Sequence, residues 1–145
     1  MPLTGGYEPS AWPDARDQVE LFERTHGAEG NTLIGLPVVI ITTTGKSSGK
    51  LRKTAMMRVE HKGHYAAVAS MGGAPTHPSW YHNMTASPLV ELQDGALRQD
   101  YTARELSGHE RETWWARAVD AFPGYADYQV ATSREIPVML LEPLA

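Results

Sequence analysis

The 145-residue chain, 41% apolar, can bury one hydrophobic core, and residues 1–145 read as a single domain. Its 13 cationic and 17 acidic side chains leave a formal charge of −4, which argues against general affinity for nucleic acid. The absence of cysteine excludes disulfides, a thiolate nucleophile and thiolate metal sites, and fits a cytoplasmic protein. No stretch approaches the roughly 18 continuous apolar residues of a membrane span, and residues 1–14 lack the apolar centre of a secretory signal.

In chain order, residues 1–12 read as an extended, flexible arm. Pro13 and Asp14 open a helix whose partial apolar face is Val19, Leu21 and Phe22, and Gly27 and Gly30 end it. Residues 33–41 read as the first strand, 54–61 as the second and 64–70 as the third, with Lys62-Gly63 as the hairpin turn between the last two. Gly72-Gly73 closes the third strand. A short helix follows, capped by Thr76, with Pro78 in its first turn. Residues 89–92 and 96–103 form a fourth and fifth strand around Asp94-Gly95.

Ser107-Gly108-His109-Glu110 has the capping-box pattern and opens a helix bearing Trp114, Trp115, Ala118, Val119 and Phe122. Pro123-Gly124 breaks it, and a short helix over 125–131 brings Tyr125 and Tyr128 to one side. Residues 136–141 are the last strand, its start placed at an edge by Pro137. Six strands joined by short turns leave no room for crossover helices. They predict a mainly β fold, a small antiparallel barrel with peripheral helices.

The stretch Thr42-Thr43-Thr44-Gly45-Lys46-Ser47-Ser48-Gly49-Lys50-Leu51-Arg52-Lys53 reads as a polar loop between the first two strands. Its two glycines let backbone amides turn inward, two serines add hydroxyls, and four cationic side chains stand within eight residues. Six of the 13 cations, Lys46, Lys50, Arg52, Lys53, Arg58 and Lys62, lie in or near it. Such a concentration of donors suits a small phosphate-bearing ligand better than a duplex. The pattern is neither a Walker A loop, because Leu51 follows Lys50, nor a dinucleotide fingerprint.

Other chemistries find less support. His61 and His64 lie across a hairpin, and His77 and His82 are five apart, so no metal site is expected. Ser47, Ser48 and Ser70 sit in no G-x-S-x-G elbow, and no paired carboxylates stand out. What remains is a phosphate loop, a Gly-Gly turn and an aromatic helix framed by strands. That combination suits a flat cofactor with a phosphorylated tail, which itself carries the redox chemistry.

These residues resemble the deazaflavin-dependent nitroreductases and F420H2-dependent quinone reductases. The motifs are Val38-Val39-Ile40-Ile41 through Gly49 with Arg52-Lys53-Thr54, residues 67–73, His77-Pro78-Ser79-Trp80-Tyr81-His82-Asn83, Tyr125-Ala126-Asp127-Tyr128-Gln129 and Arg134-Glu135-Ile136-Pro137-Val138. The resemblance implies a split β-barrel of the FMN-binding type, with about six antiparallel strands. It implies coenzyme F420, reduced, as hydride donor to a quinone or a related nitro or enone acceptor. The tail phosphate would lie near Lys46, Ser47, Ser48, Arg52 and Lys53. The deazaflavin ring would lie near Thr54, Ala55, Met56 and Met57, near Val68, Ala69, Ser70 and Met71, and near Ser79, Trp80, Tyr81, His82 and Asn83.

Tyr125 and Tyr128 would line the acceptor pocket, and Tyr125, Tyr128 or Ser70 would position the acceptor or donate a proton. Where the best-known nitroimidazole-activating member has three tyrosines spaced by three, this sequence has Phe122, Tyr125 and Tyr128. The missing hydroxyl favours a quinone over a nitroimidazole. The family's N-terminal segment also allows peripheral contact with the inner face of the plasma membrane. The alternatives are an FMN-binding split-barrel oxidoreductase, a non-enzymatic F420 carrier and a nucleic-acid-binding barrel, the last disfavoured by charge.

Overall fold

The computed structural model describes residues 3–144, so Met1 and Pro2 of the arm, and Ala145, lie outside the described residues. In chain order its elements are α1 (Pro13–Arg24), β1 (Thr32–Leu33), β2 (Leu36–Thr44), β3 (Leu51–Met57), β4 (Glu60–His61) and β5 (His64–Val68). A 3-10 turn (Met71–Gly73) leads to α2 (Ser79–Ala86), β6 (Leu89–Asp94), β7 (Leu97–Glu105), α3 (Gly108–Ala121), α4 (Gly124–Ala131) and β8 (Val138–Pro143). The sheet runs β3-β2-β6-β7-β8-β5-β4, antiparallel throughout, with β1 also on β2.

β2 shows why this sheet curls. Val38 and Ile40 face one apolar layer, Val39 and Ile41 the other, and all four are buried. A strand apolar on both faces must be covered on both. One layer adds Val19 and Phe22 of α1, Trp114 and Ala118 of α3, and Tyr125 of α4. The other is filled by Tyr65, Leu92, Tyr101, Met139 and Leu141, with Met84 of α2.

After β3 the chain bridges the two ends of the sheet. Arg58 N–H donates to the Pro37 carbonyl at 3.0 Å, and Ala66 N–H to the Val59 carbonyl at 2.9 Å. The barrel is thereby drawn together at the Met57 end. Toward Leu51 no ladder joins β3 to β5 among the described residues, so the barrel is split there.

Several expectations are corrected. The loop is only residues 45–50. Thr42, Thr43 and Thr44 stay in β2 opposite Lys53, Arg52 and Leu51, because β-branched residues suit a ladder. The second strand divides: β3 stops at Met57, and β4 is a separate two-residue strand. With β1 and β4 the described residues hold eight strands rather than six. Thr76 does not cap α2, whose N-cap is Pro78. Pro75 and Pro78 disfavour helical backbone in the residues before them.

Ser107 occupies the N-cap of α3 without a side-chain cap bond, and Glu110 instead makes a bidentate contact to Arg104 at 2.9 and 2.7 Å. β8 is not an edge strand: it starts after Pro137 and pairs with both β5 and β7. The arm runs beside β3, where Leu51 N–H donates to the Gly6 carbonyl at 2.8 Å and Glu8 N–H to the Leu51 carbonyl at 2.9 Å.

Candidate active-site cleft

The split in the barrel opens into a cleft with three parts. At one end lies the loop 45–50, closed on itself by Gly45 N–H to the Lys50 carbonyl (2.7 Å) and Gly49 N–H to the Gly45 carbonyl (2.9 Å). Gly49 has φ +72°, the left-handed backbone that glycine adopts without strain. Asn83, 7% exposed, pins the loop from α2. Its Oδ1 accepts from Lys46 N–H at 2.9 Å, and its Nδ2 donates to Thr43 Oγ1 at 3.2 Å.

The loop, with Arg52, Ser79 and His82, encloses a recess of ≈ 370 Å³. The Lys46 ammonium pairs with no carboxylate among the described residues, the N–H groups of Ser47 and Ser48 meet no protein acceptor, and Lys50 does not line the recess. Arg52 alone is partly neutralised, by Glu8 at 3.1 Å. A free ammonium, hydroxyls and amides around one recess form a donor set for a phosphate.

Lys53 does not join that set. Successive strand residues point to opposite faces, so Lys53 turns to Glu23 of α1 and lies over the Tyr7 ring at 4.8 Å. With Thr54, Trp12 and Trp80 it lines the middle of the cleft, where a cavity of ≈ 520 Å³ is walled by Ala15, Gln18 and Val19 of α1.

The far end is apolar, ≈ 250 Å³, and combines three segments. Thr54, Ala55, Met56 and Met57 come from β3. Val68, Ser70 and Met71 come from β5 and the turn after it. Phe122, Tyr125 and Tyr128 come from α4 and the residue ending α3, with Leu33, Ile34, Pro78 and Trp80 at the margin. Phe122 meets Tyr125 edge-on at 4.9 Å and Tyr128 at 5.8 Å. Burial, and secondarily Tyr128, push the Tyr125 hydroxyl well above the ordinary phenol range. It is therefore a neutral phenol at neutral pH, able to donate a hydrogen bond.

The turn after β5 is held from behind by Arg134. Its guanidinium donates to the carbonyls of Ala74 (2.8 Å), Ala69 (3.1 Å) and Ser70 (2.8 Å), and its Nη1 lies 2.9 Å from His77 Nδ1. Burial, then Arg134 and His82, lower the His77 pKa, which keeps the imidazole neutral and Nδ1 an acceptor.

Of the residues expected at the site, Lys46, Ser47, Ser48, Arg52, Ser79, His82 and Asn83 gather at the loop recess. Thr54, Ala55, Met56, Met57, Val68, Ser70, Met71, Trp80, Tyr125 and Tyr128 gather at the apolar end. Ala69 and Tyr81 line neither. Ala69 is fully buried, and the Tyr81 hydroxyl donates to Glu105 at 2.5 Å, which pushes its pKa up to about 12. Glu8, Trp12, Leu33 and Ile34 were not foreseen as cleft residues. The only sequence signal among them was a large ring, Trp12, in a polar arm.

Residues 14–143 match the family described as F420H(2)-dependent quinone reductase. An F420H(2)-dependent quinone reductase of Mycobacterium tuberculosis is 34% identical over 125 residues, spanning 83% of this chain and 84% of the relative. A solved structure described as an F420-H2 dependent reductase, FDR-A, shares 57% identity with a TM-score of 0.70, covering 73% of this chain and 94% of that one. A second, described as a domain-swapped dimer, shares 51% identity with a TM-score of 0.73, covering 88% and 96%.

Proposed function

This chain belongs to the F420H(2)-dependent quinone reductase family and is an oxidoreductase; from that premise we propose how its cleft divides the work. The observation that carries the reading is the continuity of the cleft. Arg52 and Ser79 link the loop recess to the middle, and Thr54 and Trp80 link the middle to the apolar end. A ligand with a phosphorylated tail and a flat ring needs that sequence of surfaces.

Lys46, Arg52, Ser47 and Ser48 hold the tail phosphate, and Asn83 acts behind them by fixing the loop. Trp80, Ala55, Met57 and Val68 support the ring. Reduced F420, when bound, supplies the hydride. The acceptor sits against Phe122, Tyr125 and Tyr128, where the neutral Tyr125 phenol, Tyr128 or Ser70 offers a hydrogen bond or a proton to its oxygen. A quinone suits this wall better than a nitroimidazole, because Phe122 contributes no donor.

No helix among the described residues is long and apolar enough to cross a membrane. Trp12 and Ile34 beside the cleft are 77% and 76% exposed, which supports peripheral contact with an apolar phase carrying the acceptor.

Titration with F420 and FMN side by side, read by chromophore absorbance and fluorescence, tests the cofactor. F420 should bind more tightly at equal ionic strength, and tighter FMN binding would overturn the assignment. Oxidation of F420H2 with menadione and with a bicyclic nitroimidazole tests the acceptor. The native chain should favour menadione, and Phe122→Tyr should shift the ratio toward the nitroimidazole. A native preference for the nitroimidazole, unmoved by the substitution, would remove the role given to Phe122.

A further inference from the structure

The peptides flanking Ser70 are trans, so each carbonyl points opposite to the N–H that follows it. Arg134 gathers the Ala69 and Ser70 carbonyls on one side of the turn. The N–H groups of Ser70 and Met71 therefore point to the other side, and neither meets a protein acceptor among the described residues. Ser70 and Met71 both line the apolar end of the cleft. Ser70 has right-handed backbone (φ −75°, ψ −40°) and Met71 left-handed (φ +47°). That succession makes neighbouring N–H groups converge into a concave donor nest. The guanidinium behind the nest also aligns with the two peptide dipoles, so its charge reinforces their positive ends.

We propose that Arg134 is a positioning residue of the reaction. By holding the Ala69 and Ser70 carbonyls, it presents the Ser70 and Met71 N–H groups as a donor pair for a conjugated oxygen that carries negative charge during hydride transfer. The inference rests on the reading of the apolar end as the place of hydride transfer. Preorganised amide donors of this kind act where charge develops and need no reorganisation when it does. A lysine cannot replace this residue, because one ammonium lacks the planar fork that reaches three carbonyls and a histidine nitrogen together.

The test uses the full chain as R134A and R134K. In the ligand-free protein, the amide resonances of Ser70 and Met71 should move in R134A, while those of Val90 and Leu92 in β6 stay in place. With F420H2 and menadione, R134A should lose about 100-fold in kcat, the scale set by removing one oxyanion donor, with little change in the menadione KM. Guanidinium in the buffer should restore part of it, and R134K should recover less than wild type.

Fluorescence titration with F420 separates the two sources of the oxygen. Weakened F420 affinity assigns the donor pair to the cofactor ring, and unchanged affinity assigns it to the acceptor. If R134A fails to fold, R134K carries the same readouts. Unmoved Ser70 and Met71 resonances, or a lowered melting temperature with unchanged kcat, would overturn the proposal. If the wild-type chain does not oxidise F420H2, the functional reading falls, and the ligand-free resonances still decide whether Arg134 sets the two amides.

Discussion

Arg52 and Glu8 form a pair that both shapes the loop recess and competes with its ligand. The two side chains are 3.1 Å apart and each is more than one third exposed, so the pair adds little to stability. A phosphate entering the recess meets a guanidinium already half satisfied and a carboxylate that repels it. Arg52→Ala should weaken F420 binding by roughly 1.5–3 kcal/mol, the range for hydrogen bonds to a charged group. Glu8→Gln should strengthen it, by up to roughly 1 kcal/mol, by releasing Arg52. Fluorescence titration of both variants at two salt concentrations reads the result. Loss of affinity in both would mean that Glu8 organises the recess rather than competing in it.

At the scale of the element, α4 and the turn at Met71–Gly73 form one unit. A Cβ on Gly73 would lie 3.0 Å from the Tyr128 carbonyl oxygen and 3.2 Å from Ala131 Cβ, and φ there is +82°. The close approach lets α4 rest on the turn and brings Tyr125 and Tyr128 beside Ser70. Gly73→Ala should cost roughly 1–2 kcal/mol from the left-handed backbone alone. The crowded contact adds a displacement of α4. The variant should therefore lose menadione turnover while keeping F420 affinity at the distant phosphate loop, measured in parallel by steady-state kinetics and titration. Native turnover in a folded variant would separate α4 from the acceptor site.

For the whole molecule, the cleft exists because the sheet closes at the Met57 end and stays open toward Leu51, with α1 covering part of the opening. Phe22 anchors α1 and is fully buried, while Asp14, Ala15, Gln18 and Val19 of the same helix wall the middle of the cleft. Phe22→Ala should cost about 3–5 kcal/mol in urea unfolding, as large-to-small changes of a buried phenylalanine do. Affinity for F420 should fall as that wall loosens, with the loop recess intact. Undiminished stability would show that α1 is held by its edge contacts, chiefly Glu23 with Lys53, rather than by the core.

Local chemistry determined much of this protein. Apolar β-branched runs and Lys62-Gly63 set antiparallel hairpins, because strand period and turn type are properties of adjacent residues. Asp94 stays in β6 opposite Leu97, and the expected Asp94-Gly95 turn falls one residue on, at Gly95-Ala96. The clustered cations and glycines marked the loop, and the motif spacing marked the family. What lay beyond the sequence depended on contacts between distant segments. Arg52 and Lys53 are neighbours in the chain and look equivalent, yet the pleat of β3 sends one to the loop recess and the other to Glu23. Tyr81 sits inside a site motif, but the turn of α2 carries its hydroxyl to Glu105. Arg134 is 60 residues from Ala74 and 64 from Ser70, and no local pattern announces that its guanidinium fixes that turn. Periodicity fixes which elements form, whereas which side chains meet across the split depends on how the sheet curls, a property of all its strands together.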